Sequence, residues 1–176
     1  MTMSKPLVGI VTGSDSDLPI MKQATDMLDR FGLPYEIIIS SAHRAPDKTS
    51  EYARTAVDRG LAVIIAAAGV AAHLPGVIAA CTPLPVIGVP IKSGALSGVD
   101  ALYSIVQMPA GIPVATMAIN GAKNAAILAA QIIGATDPAL RQKVIQYKDE
   151  LARAVEDKAR RLQELGVGGY LEQMEK

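Results

Sequence analysis

The feature that most limits the fold of this chain is a repeated order in which a short apolar run, a turn and a helical segment follow one another. Five such runs are too short for helices and too continuously apolar for antiparallel strands with one face in water. They therefore predict buried parallel strands. The predicted strands are Leu7–Val11, Tyr35–Ile39, Ala62–Ala67, Pro85–Val89 and Pro113–Ala118.

Segments with helical periodicity lie between the strands, and each of three such segments ends at a glycine, as helices commonly do. These helices are predicted at Leu18–Phe31, Asp47–Arg59 and Lys123–Ile133. A long amphipathic helix is predicted at about Pro138–Leu165, ended by the glycines that start at Gly166. The pattern predicts one α/β domain over residues 1–176, with helices on both faces of a five-stranded parallel sheet.

The composition favours a compact protein and argues against several functional classes. Of 176 residues, 50% are hydrophobic, so burial can offset the entropy lost on folding. The formal net charge is zero and only 3% of residues are aromatic, which is a poor composition for binding nucleic acid. The single cysteine, Cys81, excludes an internal disulfide and a multi-thiolate zinc site. The residues Met1–Pro6 contain no apolar region of a secretory signal, so we expect a cytoplasmic protein.

The middle of the chain is almost free of charge. Between Gly60 and Thr136 the only charged side chains are Lys92, Asp100 and Lys123. A membrane-spanning helix needs about 20 uninterrupted apolar residues, and prolines divide this stretch into shorter pieces. The prolines concerned are Pro75, Pro83, Pro85 and Pro90. We therefore expect no membrane span but burial, completed by other copies of the chain, with the C-terminal helix packing in that oligomer.

Ligands of open parallel sheets bind beyond the carboxyl ends of the strands, and three loops at that edge are predicted to hold the functional residues. The first loop is Gly13–Asp17. Its serine hydroxyls and the free N–H groups of the following helix suit a phosphate, whereas Asp17 is better suited to accept hydrogen bonds from ribose hydroxyls. Ser14 and Asp17 also fit a helix cap that needs no ligand, and both interpretations stay open.

The second loop, Ser40–Asp47, contains a histidine and an arginine side by side. The guanidinium of Arg44 can bind two phosphate oxygens at once. His43 carries the side chain best suited to exchange protons near neutral pH. Pro46 fits the first turn of the next helix. The alternative is a serine cap beside two exposed polar side chains that bind nothing.

The third loop, Gly69–Gly76, consists of small apolar residues around the second histidine of the chain. Its backbone N–H groups could line a site for a carboxylate or a small neutral molecule. His73 is either a second group that handles protons or a hydrogen-bonded structural residue. The sequence does not decide between these roles, nor whether Lys92 and Ser93 reach the site.

Several motifs in order resemble those of the N5-carboxyaminoimidazole ribonucleotide mutases of purine biosynthesis, the class I branch of the aminoimidazole ribonucleotide (AIR) carboxylase family. The resemblance spans about Val8–Gln131. The motifs are Gly13-Ser-x-Ser-Asp17, Ser41-Ala-His-Arg-x-Pro46, Ala68-Gly-x-Ala-Ala-His-Leu-Pro-Gly76, Ala95-Leu-Ser-Gly-Val-Asp-Ala-Leu-Tyr-Ser-Ile-Val-Gln-Met-Pro109 and Asn124-Ala-Ala. The sister branch, which carboxylates the ribonucleotide directly with CO2, lacks the Ala-Ala-His-Leu-Pro-Gly run.

The resemblance implies a flavodoxin-like three-layer sandwich, a homo-octamer and an isomerase that moves CO2 from N5 to C4 of a phosphorylated ribonucleotide without a cofactor or metal. It implies that His43 is the acid and base. The implied substrate-binding residues are Ser14, Ser16, Asp17, Ser41 and Arg44, with Gly69, Ala71, Ala72 and Leu74 around the CO2. The alternatives are the direct carboxylase, or a non-catalytic flavodoxin-like module that binds a phosphorylated ligand and does not need His43. A metal site made by Asp15, Asp17 and the histidines lacks a tight ligand spacing.

Overall fold

A computed structural model describes residues 5–174 of the chain, so most of the N-terminal segment on which the prediction about a secretory signal rests lies outside the described residues. Five strands form one parallel sheet in the order β2-β1-β3-β4-β5. The strands are β1 Val8–Thr12, β2 Tyr35–Ile39, β3 Val63–Gly69, β4 Val86–Ile91 and β5 Ala115–Thr116. This order, with helices on both faces, is that of the flavodoxin-like α/β fold, which confirms the predicted fold class.

The helices divide between the two faces of the sheet. They are α1 Leu18–Phe31, α2 Pro46–Arg54, α3 Leu74–Cys81, α4 Val99–Val106, α5 Ala122–Gly134 and α6 Pro138–Met174, and a short 3-10 helix covers Asp15–Asp17. One core lies between the sheet and α1, α5 and the start of α6. The other lies between the sheet and α2, α3 and α4. The result is the expected three-layer sandwich.

Small side chains allow the helices to approach the sheet closely. The face of α5 that covers β3 and β4 is made of alanines spaced three and four residues apart, so they share one side of the helix. These alanines, all fully buried, are Ala122, Ala125, Ala126, Ala129 and Ala130. Beneath them β3 is itself rich in alanine near its carboxyl end.

Several predicted boundaries need correction. Helix α2 ends at Arg54, and the chain then turns up to Gly60, whose φ of +93° suits glycine. Helices α3 and α4 lie in segments for which no helix was predicted, and the start of α3 falls within the predicted third loop, Gly69–Gly76. Proline is nevertheless tolerated in the first turn of a helix, where its missing N–H costs no hydrogen bond. Strand β5 is only two residues long.

The C-terminal helix leaves the body of the protein. Leu140, Val144 and Tyr147 are buried against the first core, but the residues from 151 onward, here called the C-terminal arm (residues 151–174), contact little of the body. Gly166 (φ +64°, ψ 172°) interrupts the helix where its end was predicted, yet helical geometry resumes after it and continues to Met174. Within residues 5–174, no helix has the length and apolar character needed to cross a membrane.

A single copy of the chain leaves part of the low-charge segment between Gly60 and Thr136 exposed. Four side chains around α4 are at least two-fifths exposed and form what is here called the α4 patch. The α4 patch consists of Leu96, Val99, Tyr103 and Val106. The C-terminal arm exposes a further apolar series that includes Leu151, Val155 and Leu162.

Candidate active site

The three predicted loops meet in one cavity. They follow β1, β2 and β3, which are neighbours in the sheet, so their parallel direction places all three loops at the same edge. The cavity between them has a volume of about 440 Å³. It is lined by ten of the predicted site residues, namely Ser14, Ser16, Asp17, Ser41, His43, Arg44, Gly69, Ala71, His73 and Leu74. Ala72 is not among them, because it is 1% exposed and packs in the second core instead.

In the first loop the serines both cap a helix and face the cavity. The hydroxyl of Ser14 accepts a hydrogen bond from the backbone N–H of Ser16 (3.3 Å) at the start of the 3-10 helix, as the capping interpretation predicted. The Ser16 hydroxyl lies 2.9 Å from the Ser14 oxygen and 3.4 Å from Oδ1 of Asp17, so its single proton is shared between these two acceptors. The pair therefore forms a preorganised set of hydroxyl groups at the entrance to α1, where the partial positive charge of a helix N-terminus lies.

Asp17 is the most enclosed charged residue of the cavity, with 7% of its surface exposed. Its side chain does not cap α1, the helix that begins at the next residue. Burial raises the pKa of the Asp17 carboxyl, and hydrogen bonds from Ser16 and the Ser14 backbone oppose this increase only in part. A carboxylate held in this way is costly to leave without a partner, and hydroxyl groups of a ligand would supply hydrogen bonds to it.

The second loop brings a cation to the first loop. The guanidinium of Arg44 donates from Nη2 to the carbonyl oxygen of Gly13 (3.4 Å) and from Nε to the hydroxyl of Ser41 (3.4 Å). Among the ion pairs of residues 5–174, none involves Arg44. The uncompensated guanidinium and the serine hydroxyls together make an anion-binding wall.

Two buried hydroxyl groups hold the second loop from below. Thr49, fully buried in α2, donates to the carbonyl oxygen of Ala45 at 3.0 Å. The hydroxyl of Ser40 lies 2.8 Å from that of Thr49. Because the only hydroxyl proton of Thr49 goes to Ala45, Ser40 must donate to Thr49. The sequence analysis did not identify this pair, although a threonine four residues after Ala45 on a buried helix face is a recognisable signal for such a bond.

The two histidines of the chain are in contact. Nε2 of His43 lies 2.7 Å from Nδ1 of His73, and the two rings are nearly perpendicular, with centroids 4.9 Å apart. At that distance one nitrogen donates a proton and the other accepts it, so at most one of the two atoms is protonated. This contact joins residues from the second and third loops and was not predicted.

The third loop is held by a residue that follows the next strand, β4. The hydroxyl of Ser93 accepts a hydrogen bond from the backbone N–H of Val70 (3.2 Å) and donates to the carbonyl oxygen of Ile91 (3.4 Å). Ser93 also lines the cavity, whereas Lys92 does not. Among residues 5–174, no three His, Cys, Asp or Glu side chains lie close enough together to hold a metal ion.

Comparison with known proteins identifies the family of the chain. The family model described as AIR carboxylase matches residues 7–154. The chain belongs to the AIR carboxylase family. Within that family it is similar to proteins from Pyrococcus horikoshii (60% identity, covering 97% of each chain) and Thermotoga maritima (59% identity, covering 97% of this chain and 99% of the relative). Both relatives are named N5-carboxyaminoimidazole ribonucleotide mutase.

Other relatives in the AIR carboxylase family are larger or more distant. The phosphoribosylaminoimidazole carboxylase of Saccharomyces cerevisiae is 55% identical over 97% of this chain, but the chain spans only 30% of that protein's length. Among solved structures, Treponema denticola PurE superposes with a TM-score of 0.81 at 31% identity, covering 89% of this chain and 98% of that one. These similarities confirm the family and the fold expected from the motifs.

Proposed function

We propose that the protein is an N5-carboxyaminoimidazole ribonucleotide mutase, which moves a carboxyl group from N5 to C4 of aminoimidazole ribonucleotide. The observation that carries the proposal is the contact between His43 and His73 in a cavity with one cationic and hydroxylic wall and one apolar wall. The near-full-length relatives from Pyrococcus and Thermotoga bear the name of this enzyme. The enzyme would be an isomerase of purine biosynthesis, and we expect it in the cytoplasm, where phosphorylated intermediates are retained.

The polar wall would bind the phosphate and ribose of the substrate. Arg44 and Ser14 would take the 5′-phosphate, because they offer a guanidinium without an ion-pair partner among residues 5–174 and a hydroxyl at a helix start. Asp17 and Ser16 would contact the nucleotide, with Asp17 accepting from the ribose hydroxyls. Ser41, which already accepts a hydrogen bond from Arg44, would help to orient the ligand.

In the first chemical step His43, as an imidazolium whose Nε2–H is bonded to His73, would give the proton of its Nδ1 to N5 while the bond between N5 and the carboxyl carbon breaks. The electron pair of that bond stays on nitrogen, so the products are the neutral amine and CO2. C4 then attacks CO2, forming a carbon–carbon bond and a carboxylate. His43, now a neutral imidazole, takes the proton from C4, which restores both the aromatic ring and the imidazolium. The steps balance without an external acid, base or cofactor.

His73 supports this exchange in the proposal. When His43 is an imidazolium, its Nε2–H can donate to Nδ1 of His73, and the 2.7 Å separation suits that bond. The bond would hold the ring of His43 in one orientation and stabilise its positive charge. His73 would therefore assist through His43.

The apolar wall would keep the released CO2 beside C4. Gly69, Ala71 and Leu74 line this side of the cavity, and Ala72 packs beneath it. A small molecule held next to its reaction partner reacts as if its concentration were very high. The same wall limits access of water, which would otherwise hydrate the carboxyl group and favour the carbamate.

The decisive test uses N5-carboxyaminoimidazole ribonucleotide labelled with ¹³C in its carboxyl group. The purified protein is given this substrate with excess unlabelled bicarbonate, and without nucleoside triphosphate or metal. We expect the label at the C4 carboxylate. Efficient product formation from aminoimidazole ribonucleotide and bicarbonate alone, with no use of the labelled carbamate, would instead identify the direct carboxylase. Ligand binding without turnover would identify a non-catalytic module.

The oligomer is part of the same proposal: we propose a homo-octamer. The α4 patch and the C-terminal arm expose large apolar side chains, and copies of the chain would cover them. Eight copies of the 18.4 kDa chain have a mass of about 147 kDa, which light scattering can measure. A monomeric mass at micromolar concentration would contradict the octamer.

A further inference from the structure

Val70, in the third loop, has a backbone conformation that its side chain disfavours. Its φ is +55°, in the left-handed region that glycine adopts freely and that β-branched residues strongly avoid. The residue is 56% exposed, so packing of its side chain against the body does not explain the conformation. Such an outlier persists only where surrounding contacts hold it, and these positions concentrate at functional sites.

The contact that holds Val70 is the hydroxyl of Ser93. This hydroxyl accepts the backbone N–H of Val70 at 3.2 Å and is tied by its own proton to the carbonyl oxygen of Ile91 at 3.4 Å. Gly69 leaves the space that the hydroxyl occupies, because a Cβ at that position would lie 2.4 Å from the Ser93 oxygen. Ser93 therefore links the end of β4 to the first residue after β3.

The conformation of Val70 determines where the third loop goes next. His73 follows three residues later, after a tight turn in which its N–H donates to the carbonyl oxygen of Ala71 at 2.9 Å. Leu74 then begins α3, whose position on the sheet is fixed by the second core. With both ends of this short segment fixed, a change of φ at Val70 must move the imidazole of His73.

We propose that Ser93 is a positioning residue for the histidine pair: by holding Val70 in the left-handed conformation, it keeps Nδ1 of His73 in contact with Nε2 of His43. The effect on turnover rests on the proposed mutase function. The effect on the histidine contact does not rest on it, so the two can be tested separately.

The first experiment is a double-mutant cycle between Ser93→Ala and Val70→Gly. Glycine adopts positive φ without strain, so a turn with Gly at position 70 needs no holding by Ser93. We expect Ser93→Ala to lower kcat roughly ten- to hundredfold with little change in KM, since small misplacements at a site have effects of that size. Adding Val70→Gly should restore most of the lost kcat. The matched control is Ser104→Ala, which removes a hydroxyl bonded only within α4.

A direct role of Ser93 in binding the substrate predicts a different outcome. The loss on Ser93→Ala would then fall on KM and would be the same with valine or glycine at position 70. That result would overturn the proposal. Should Ser93→Ala fail to fold, Ser93→Cys replaces it in the cycle, because a thiol is a weak hydrogen-bond acceptor.

The second experiment observes the histidine contact without turnover. The chain has two histidines, so its imidazole NMR signals can be assigned with His43→Asn and His73→Asn. In Ser93→Ala the signal of each ring should move toward its position when the other ring is absent, and Val70→Gly should reverse the shift. Unchanged imidazole signals in Ser93→Ala would overturn the proposal. If the wild type lacks mutase activity but Ser93→Ala still shows these shifts, only the proposed function is refuted.

Discussion

The second and third loops make an instructive comparison because they have the same plan and different chemistry. Each follows a strand next to β1, each carries one histidine, and each leads into a helix with a proline in its first turn. The second loop presents Arg44 and hydroxyl groups, whereas the third presents small apolar side chains and its backbone. The two imidazoles meet where these walls join, which is where a group leaving a polar nucleotide for an apolar pocket would need a proton.

The two loops are also held in different ways. Buried hydroxyls of Ser40 and Thr49, within the loop and its own helix, fix the second loop. The third loop depends on Ser93, which lies just beyond the end of β4, and on the strained residue Val70. The second loop is therefore held by hydrogen bonds within its own segment of the chain. The loop that would retain CO2 depends on a neighbouring element, so substitutions outside it can change its chemistry.

The largest expected effect is on kcat, in a comparison of substitutions at the two histidines. His43→Asn should reduce kcat by roughly 10²–10⁴-fold, the usual contribution of a general acid and base, and leave the affinity for aminoimidazole ribonucleotide almost unchanged. His73→Asn should reduce kcat less, because His73 acts through His43 in the proposal. Turnover assays and titration calorimetry on both variants provide the measurement. Normal turnover by His43→Asn would remove this residue from the mechanism.

Substitutions of Arg44 test the polar wall. Arg44→Ala should raise KM roughly ten- to hundredfold, since a charge-assisted hydrogen bond contributes about 1.5–3 kcal/mol. Arg44→Lys keeps the charge but loses the planar fork, so its KM should lie between those of the wild type and Arg44→Ala. Steady-state kinetics would separate KM from kcat. A fall in kcat at unchanged KM would contradict a binding role and assign Arg44 to the chemical step.

A substitution in the apolar wall should change the products more than the rate. Ala71 is exposed to the cavity, and Ala71→Ser adds a hydroxyl that attracts water without adding much volume. We expect the fraction of substrate lost as free aminoimidazole ribonucleotide and CO2 to rise by roughly threefold, a small effect typical of one altered pocket contact. Ala135→Ser, at an exposed position outside the cavity, is the matched control. An unchanged product ratio would show that this wall does not retain CO2.

The sequence was sufficient to predict elements that a single stretch of residues forms by its own pattern. The apolar run Tyr35–Ile39 and the periodic segment Leu18–Phe31 became β2 and α1 without any shift of boundary. Helices α3 and α4 were missed because each is only 8 residues long, too short to establish a helical period, and α3 is in addition apolar on most sides.

The parts of the site that could not be predicted depend on contacts between distant segments. The three loops were found because each follows a strand, but the contact between His43 and His73 needs the strand order 2-1-3, which no local pattern contains. Ser93 acts through Val70, whose strain is visible only in the backbone. Ala72 was assigned to the cavity because, among consecutive small apolar residues, composition cannot indicate which ones face the core.

The smallest effect is expected at Asp17, in the first loop between the other two, and it concerns stability. Burial raises the pKa of this carboxyl above its ordinary value of 3.8, so the folded protein holds the proton more tightly than the unfolded chain. The stability that the protonated group contributes is therefore present below pH 3.8 and is lost as the pH rises through the folded-state pKa.

Asp17→Asn carries no charge at any pH and avoids that loss. Its free energy of unfolding relative to the wild type should therefore rise between about pH 3.5 and neutrality, where the wild type must keep a carboxylate in a desolvated place. Urea denaturation at fixed protein concentration measures the difference. The same variant should bind the nucleotide more weakly, because the charged acceptor for the ribose hydroxyls is gone. A variant whose relative stability falls as the pH rises would mean that Asp17 is stabilised as a carboxylate in the free protein and does not await a ligand.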